Sequence, residues 1–110
     1  MPKVRNLTPH NVTILDTQNN VVKEYPAELP KEQLPRLEEE VTENGTIDRV
    51  PLKVKRYKDC INLPEKEPGV YLIVSGLIAS TVKRDDLLIT NTVRDSNGQI
   101  IGCDSFSQSL

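Results

Sequence analysis

The chain has 110 residues, with 14 lysines and arginines against 16 aspartates and glutamates, a net charge of −2 and a pI of about 5.4. That length suits one domain over residues 1–110 with one modest core, and the slightly acidic balance argues against a nucleic-acid binder of the strongly basic kind. No apolar run reaches the ~20 residues that span a bilayer, so no membrane segment is expected.

The segment from Met1 to Thr13 is polar and carries Pro2 and Pro9, which is unlike a secretory leader. The expected setting is therefore cytoplasmic, with Cys60 and Cys103 as reduced thiols. Two cysteines and the single histidine, His10, are too few and too scattered for a zinc site. No metal or cofactor is expected. Cys103, inside the apolar run Ile100-Ile101-Gly102-Cys103, is expected to be buried and inert, and Cys60 to be more exposed.

In chain order, residues 3–7 read as a short strand that Thr8-Pro9-His10-Asn11 interrupts, because proline removes a donor and keeps Thr8 out of the helical region. Val12 to Asp16 is rich in β-branched residues and reads as a strand. The Thr17-Gln18-Asn19-Asn20 turn returns it to Val21–Tyr25 as a hairpin. Residues 26–35 hold three prolines and read as a loop with at most one helical turn. Two readings compete over the next stretch: a strand over 36–42, and a helix over 31–40 favoured by its Lys, Gln, Leu and Glu content but opposed by Pro35. The choice between strand and helix for Lys31 to Glu40 stays open.

Asn44-Gly45 is a tight-turn pair and predicts the bend of a second hairpin. Its return strand alternates Val50, Leu52 and Val54 against Pro51, Lys53 and Lys55, with Pro51 marking an edge or a bulge. Residues 61–69 read as a loop. Val70 to Val74 is the most apolar run and predicts the central buried strand. Ser75 is placed to cap a short helix over 76–82. A charged break at 83–86 leads to Leu87-Leu88-Ile89, and Asn97-Gly98 predicts a last hairpin closing on 99–103. The polar tail 104–110 is expected to fray. The sum is a mainly β fold, a small antiparallel barrel or sandwich with one or two short helices, an α+β arrangement being the variant. Exposed edges make a homodimer a reasonable expectation.

Several polar groups are candidates for chemistry. Histidine is the side-chain type whose unperturbed pKa lies near neutrality, and His10, the single histidine, lies beside Thr8 and Asn11, an arrangement that suits the edge of a polar pocket. The plainer account has Thr8 and Asn11 satisfying the turn. Arg84, Asp85 and Asp86 offer two adjacent carboxylates, but pairing of Arg84 with Asp86, or capping, is the commoner role. Ser75 follows a buried strand as a nucleophile can, yet Ile73-Val74-Ser75-Gly76-Leu77 lacks the leading glycine of the nucleophile elbow. A triad would need His10 with Asp85 or Asp86. The basic run Lys53, Lys55, Arg56 and Lys58 faces the acidic run Glu38-Glu39-Glu40 across the second hairpin, which explains both as one compensated face. Few aromatics are present to stack bases.

The motif Asn6-Leu7-Thr8-Pro9-His10, with Tyr71-Leu72-Ile73-Val74-Ser75, Arg84-Asp85-Asp86-Leu87-Leu88, a lone Arg36 and the hairpin from Arg94 to Cys103, resembles a family of small uncharacterised proteins of bacteriophages and bacterial genomes. The likeness covers roughly residues 5–104 and leaves Glu38-Glu39-Glu40 unmatched. It implies a phage or prophage origin and a bacterial-host cytoplasm. With it, Thr8, His10, Asn11, Arg36, Ser75, Arg84 and Asp86 are expected to converge on one pocket for a small anionic, nucleotide-like ligand, in a counter-defence role. A non-enzymatic protein that binds a host or virion partner is the alternative, and a small hydrolase using His10 with Asp85 or Asp86 a third.

Overall fold

A computed structural model describes residues 2–110. The elements follow the order β1 (Lys3–Asn6), β2 (Val12–Leu15), β3 (Val21–Tyr25), β4 (Arg36–Ile47), β5 (Val50–Ile61), β6 (Val70–Ile73), α1 (Gly76–Val82), β7 (Leu87–Arg94) and β8 (Ile100–Ser107), with a 3-10 turn at Lys31–Gln33. Among the described residues the chain is mainly β with one short α-helix, as its patterning predicts.

Six strands form one sheet in the order β1-β6-β7-β8-β2-β3, and β4 with β5 forms a separate two-stranded hairpin. The sheet is mixed, where the alternation of short strands and turns suggests a mostly antiparallel one. β1 pairs parallel to β6, β6 parallel to β7, and β2 parallel to β8; β7–β8 and β2–β3 are antiparallel. The reason is topological. A helix between β6 and β7 is the crossover that parallel neighbours need, so the segment from Val70 to Ile89 is a strand-helix-strand unit.

The sheet curls until its edge strands β1 and β3 meet. Inside the curl lie Val12, Ile73, Leu88 and Cys103, with Val4, Ile14, Tyr25, Tyr71 and Phe106 against them. Leu7, Leu72, Val74 and Leu87 form a second, outer core beneath Ile78 and Ala79 of α1. β6 is buried on both faces, which accounts for its unbroken apolar sequence. α1 starts where the sequence places it. Ser75 Oγ accepts a hydrogen bond from Ile78 N at 3.3 Å, and Lys83, in the left-handed region at φ 56°, ends the helix.

One open choice is settled and two expectations need correction. The segment 36–47 is strand throughout, and the helical alternative shrinks to the 3-10 turn before Pro35. The second hairpin bends not at Asn44-Gly45 but at Asp48-Arg49, both at positive φ, with Ile47 paired to Val50. Gly45, at φ 77°, is instead part of a bulge in β4, where Asn44 and Gly45 together oppose Leu52. Only this later bend brings Glu40 opposite Arg56 and Glu43 opposite Lys53, the pairing that charge demands. Finally, β8 runs on to Ser107 instead of fraying. Phe106 packs on Tyr25 with ring centroids 6.0 Å apart, and Asn91 bonds the hydroxyls of Ser105 and Ser107.

The β4–β5 hairpin stands out from the curled sheet as an arm. The radius of gyration is 17.2 Å, against about 13 Å for a compact chain of this size. Beyond Leu37 and Cys60, which pack on the outer core, every residue of β4 is exposed.

Candidate functional site

The N-terminal motif is built around Asn6, which is fully buried at the end of β1. Its Nδ2 donates to His10 O at 2.7 Å and to Tyr25 O at 2.8 Å, while its Oδ1 accepts from Thr8 N at 3.0 Å. Thr8 Oγ1 lies 2.6 Å from Asn6 Oδ1 and 3.0 Å from His10 O, two acceptors for its one proton. Glu28 accepts from Asn6 N through one carboxylate oxygen and from Arg5 Nε through the other. Asn11 Oδ1 accepts from Ala27 N at 2.9 Å. The turn is thereby pinned to β3 and to the loop after it, and the two edges of the sheet are joined by side chains.

This turn forms one wall of a cavity of about 350 Å³ at the mouth of the curl. Thr8, His10 and Asn11 face Ser75 and Gly76 at the end of β6, across a floor that includes Val12, Val74, Ile89 and Cys103. Mouths of curled sheets and the carboxyl ends of parallel strands are usual places for a ligand. The lining is mostly apolar with neutral hydroxyl and amide groups at the rim, and His10 is its only titratable nitrogen.

Four of the seven expected site residues, Thr8, His10, Asn11 and Ser75, thus come together, and three lie elsewhere. Arg36 is exposed at the start of β4 beside Leu37, Glu39 and Ile61. Arg84 and Asp86 form a bidentate pair, with Nε and Nη2 of Arg84 donating to the carboxylate at 2.9 and 2.6 Å, and Nη1 donating to Pro64 O at 3.0 Å. The guanidinium hydrogen bonds hold the Asp86 carboxyl below the usual carboxylate range, against the opposing effect of burial. This pair ties the loop at Pro64 to the start of β7. Asp85 pairs with Lys66. Neither carboxylate lines the cavity, so Ser75 and His10 have no acid beside them and the triad does not assemble.

The thiols are not poised as nucleophiles. Burial pushes both Cys60 and Cys103 upward, Asp104 adds to the effect at Cys103, and Cys103 Sγ donates to Thr13 O at 3.3 Å. Among the described residues no cluster of three or more metal-ligating side chains occurs, and no helix is long and apolar enough to cross a membrane.

Sequence reasoning passed over Asn6 and Glu28 as the groups that hold the turn, and Thr90 and Thr92 as part of the cavity wall. The threonines were findable, since they sit two apart beyond the buried Leu88. For Glu28, in a proline-rich loop, no local pattern points to the distant amide it bonds. Compared with known proteins, the chain matches no family model, no curated protein and no solved structure.

Proposed function

We propose that the protein is a non-catalytic interaction protein that works through the β4–β5 arm. The observation that carries this reading is the arm's exposed apolar surface: Ile47 and Val50 are each 63% exposed, and Val41 and Tyr57 are also open to solvent. Two-stranded hairpins are marginal when nothing covers them, and exposed apolar patches on projecting elements mark contact surfaces. The resemblance of the Asn6–His10 motif adds a phage or bacterial-host setting, in which the contact serves a virion or a host-directed role. The test is capture with the tagged full chain, co-expressed with a differently tagged copy, in the source cells. A stoichiometric polypeptide held by the native chain and lost from an Ile47→Lys/Val50→Lys variant is expected. Identical recovery by both chains overturns the reading.

A second reading rests on the convergence of Thr8, His10, Asn11 and Ser75. These groups line a cavity that would take a small molecule, and the absence of Arg36 and Arg84 from it favours a neutral nucleoside over the anionic nucleotide expected from sequence. A thermal-shift comparison of nucleosides and nucleotides decides this. A ligand at 100 times its Kd adds about 2.7 kcal/mol, and the shift must vanish in His10→Ala.

A further inference from the structure

Directly opposed residues of an antiparallel pair share a face, so register divides the arm into two faces. One carries Glu39 with Tyr57, Val41 with Lys55, and Glu43 with Lys53. At its base are Leu37 and Cys60, which pack on the outer core, so this face is the one turned toward the body. The opposite face carries Glu40 with Arg56, then Thr42 with Val54, then Leu52 opposite the bulge, then Ile47 with Val50 beside the turn. Thr42, Val54, Leu52, Ile47 and Val50 therefore form one apolar block. Alternation of this kind belongs to strands with one buried face. Among the described residues no other element covers it.

The charges at the two ends of the block say what fits there. At the inner end Glu40 on β4 stands beside Arg56 on β5; at the tip Asp48 leads from β4 and Arg49 leads into β5. Each end is thus acidic on the β4 side and basic on the β5 side. A two-fold axis running along the arm lays β4 of one copy over β5 of the other, so that acid meets base at both ends and Val54 and Val50 meet Thr42 and Ile47. A two-fold axis across the arm lays β4 over β4 and sets Asp48 on Glu40 and Arg49 on Arg56, which repel. The body lies on the other face and is no obstacle to the first arrangement. Resting on the reading of the arm as the contact surface, we propose that its apolar face packs against the same face of a second copy, the two arms pointing the same way, to make a four-stranded sandwich.

The test is sedimentation equilibrium of the purified full chain and four variants, each checked for folding by far-ultraviolet circular dichroism. The native chain is expected to be a dimer. Val50→Lys should be monomeric at the same concentration, and Val41→Lys, on the other face, should remain dimeric. Glu40→Arg and Arg56→Glu should each weaken self-association, and an equimolar mixture of the two should restore a one-to-one dimer, because the arms then oppose two bases to two acids. A monomeric native chain overturns the second copy as occupant and leaves the arm reading to the capture experiment. A dimer indifferent to Val50→Lys overturns the packing of arm on arm and likewise leaves the arm reading to the capture experiment. Strengthened self-association of Glu40→Arg alone overturns the axis along the arm, since only the crossed arrangement sets a base at position 40 against Asp48.

Discussion

Leu72 and Leu52 are both leucines at apolar positions of a strand, yet Leu72 is 2% exposed and Leu52 is left half-buried on the arm. The curled sheet buries its apolar residues on both faces, one set inside the curl and the other beneath α1. The arm has strands of 12 residues each and covers neither of its faces beyond the base. Stability should therefore reside in the sheet and its tethers. The arm should contribute little to the isolated fold, and its residues are free to answer to a partner. Substitutions in the two regions test that division.

The largest effect is expected from Asn6→Ala. The change leaves Tyr25 O and Thr8 N without their partner in a partly buried setting, and leaves His10 O with Thr8 Oγ1 as its remaining donor. Each unmade bond of this kind costs about 1–3 kcal/mol, so a total near 4 kcal/mol is expected. The urea midpoint should fall accordingly, and hydrogen exchange should speed up on β3, since β1 and β3 lose the side-chain bridge between them. A midpoint close to that of the native chain would mean that the sheet does not depend on this bridge.

Next comes Asp86→Asn, which breaks the pair with Arg84. Asp86 is 3% exposed, and removing one partner of a buried pair costs about 3 kcal/mol. The sign with pH is fixed by the lowered native pKa. A carboxyl that ionises more readily in the folded state stabilises the fold fully above its unfolded value, 3.8. That contribution is lost as pH falls through the native value. The gap in stability between native and variant chains should therefore be widest at neutral pH and close in acid. A gap independent of pH would place the effect in packing alone.

Gly102→Ala probes how tightly β8 approaches β2. A Cβ there would sit 2.9 Å from Leu15 Cδ1 and 2.9 Å from Thr13 O. The leucine can move and the backbone carbonyl cannot, so a loss of about 2 kcal/mol is expected. An unchanged melting temperature would show that β8 slides outward at no cost.

These tethers also mark the limit of what the sequence reveals. Val70 to Val82 was legible as a buried strand and a Ser75-capped helix because both signals are local: an unbroken apolar run, then a hydroxyl ahead of apolar residues at helical spacing. The consequence that β6 and β7 run parallel lies in the same segment, but it appears only when the helix is treated as a crossover. The arm's register was half legible. Opposed runs of glutamates and lysines announce the pairing, while Asn44-Gly45 points to a bend that would prevent it, and charge pairing prevails over the local turn preference. Pocket convergence was the least legible. Thr8, His10 and Asn11 are neighbours in sequence and share the cavity with Ser75 through the β1–β6 pairing. Arg84 and Asp86, two residues apart, satisfy each other instead.

The smallest effect, and the sharpest contrast, is expected from one substitution made in both regions. Val74→Ala removes two methyl groups from a side chain that is 2% exposed between Leu7, Leu72 and α1; burial of that much apolar surface, with the cavity left behind, amounts to about 2 kcal/mol. Val41→Ala removes the same atoms from the body-side face of the arm, where the valine is 48% exposed opposite Lys55. A loss within about 0.5 kcal/mol is expected there, and since Val41 lies off the apolar block, self-association should not change either. Chemical denaturation of the two variants at equal concentration reads the difference directly. Equal losses would mean that the arm is packed against the body more closely than its exposure indicates, and would move the boundary between the two regions outward along β4.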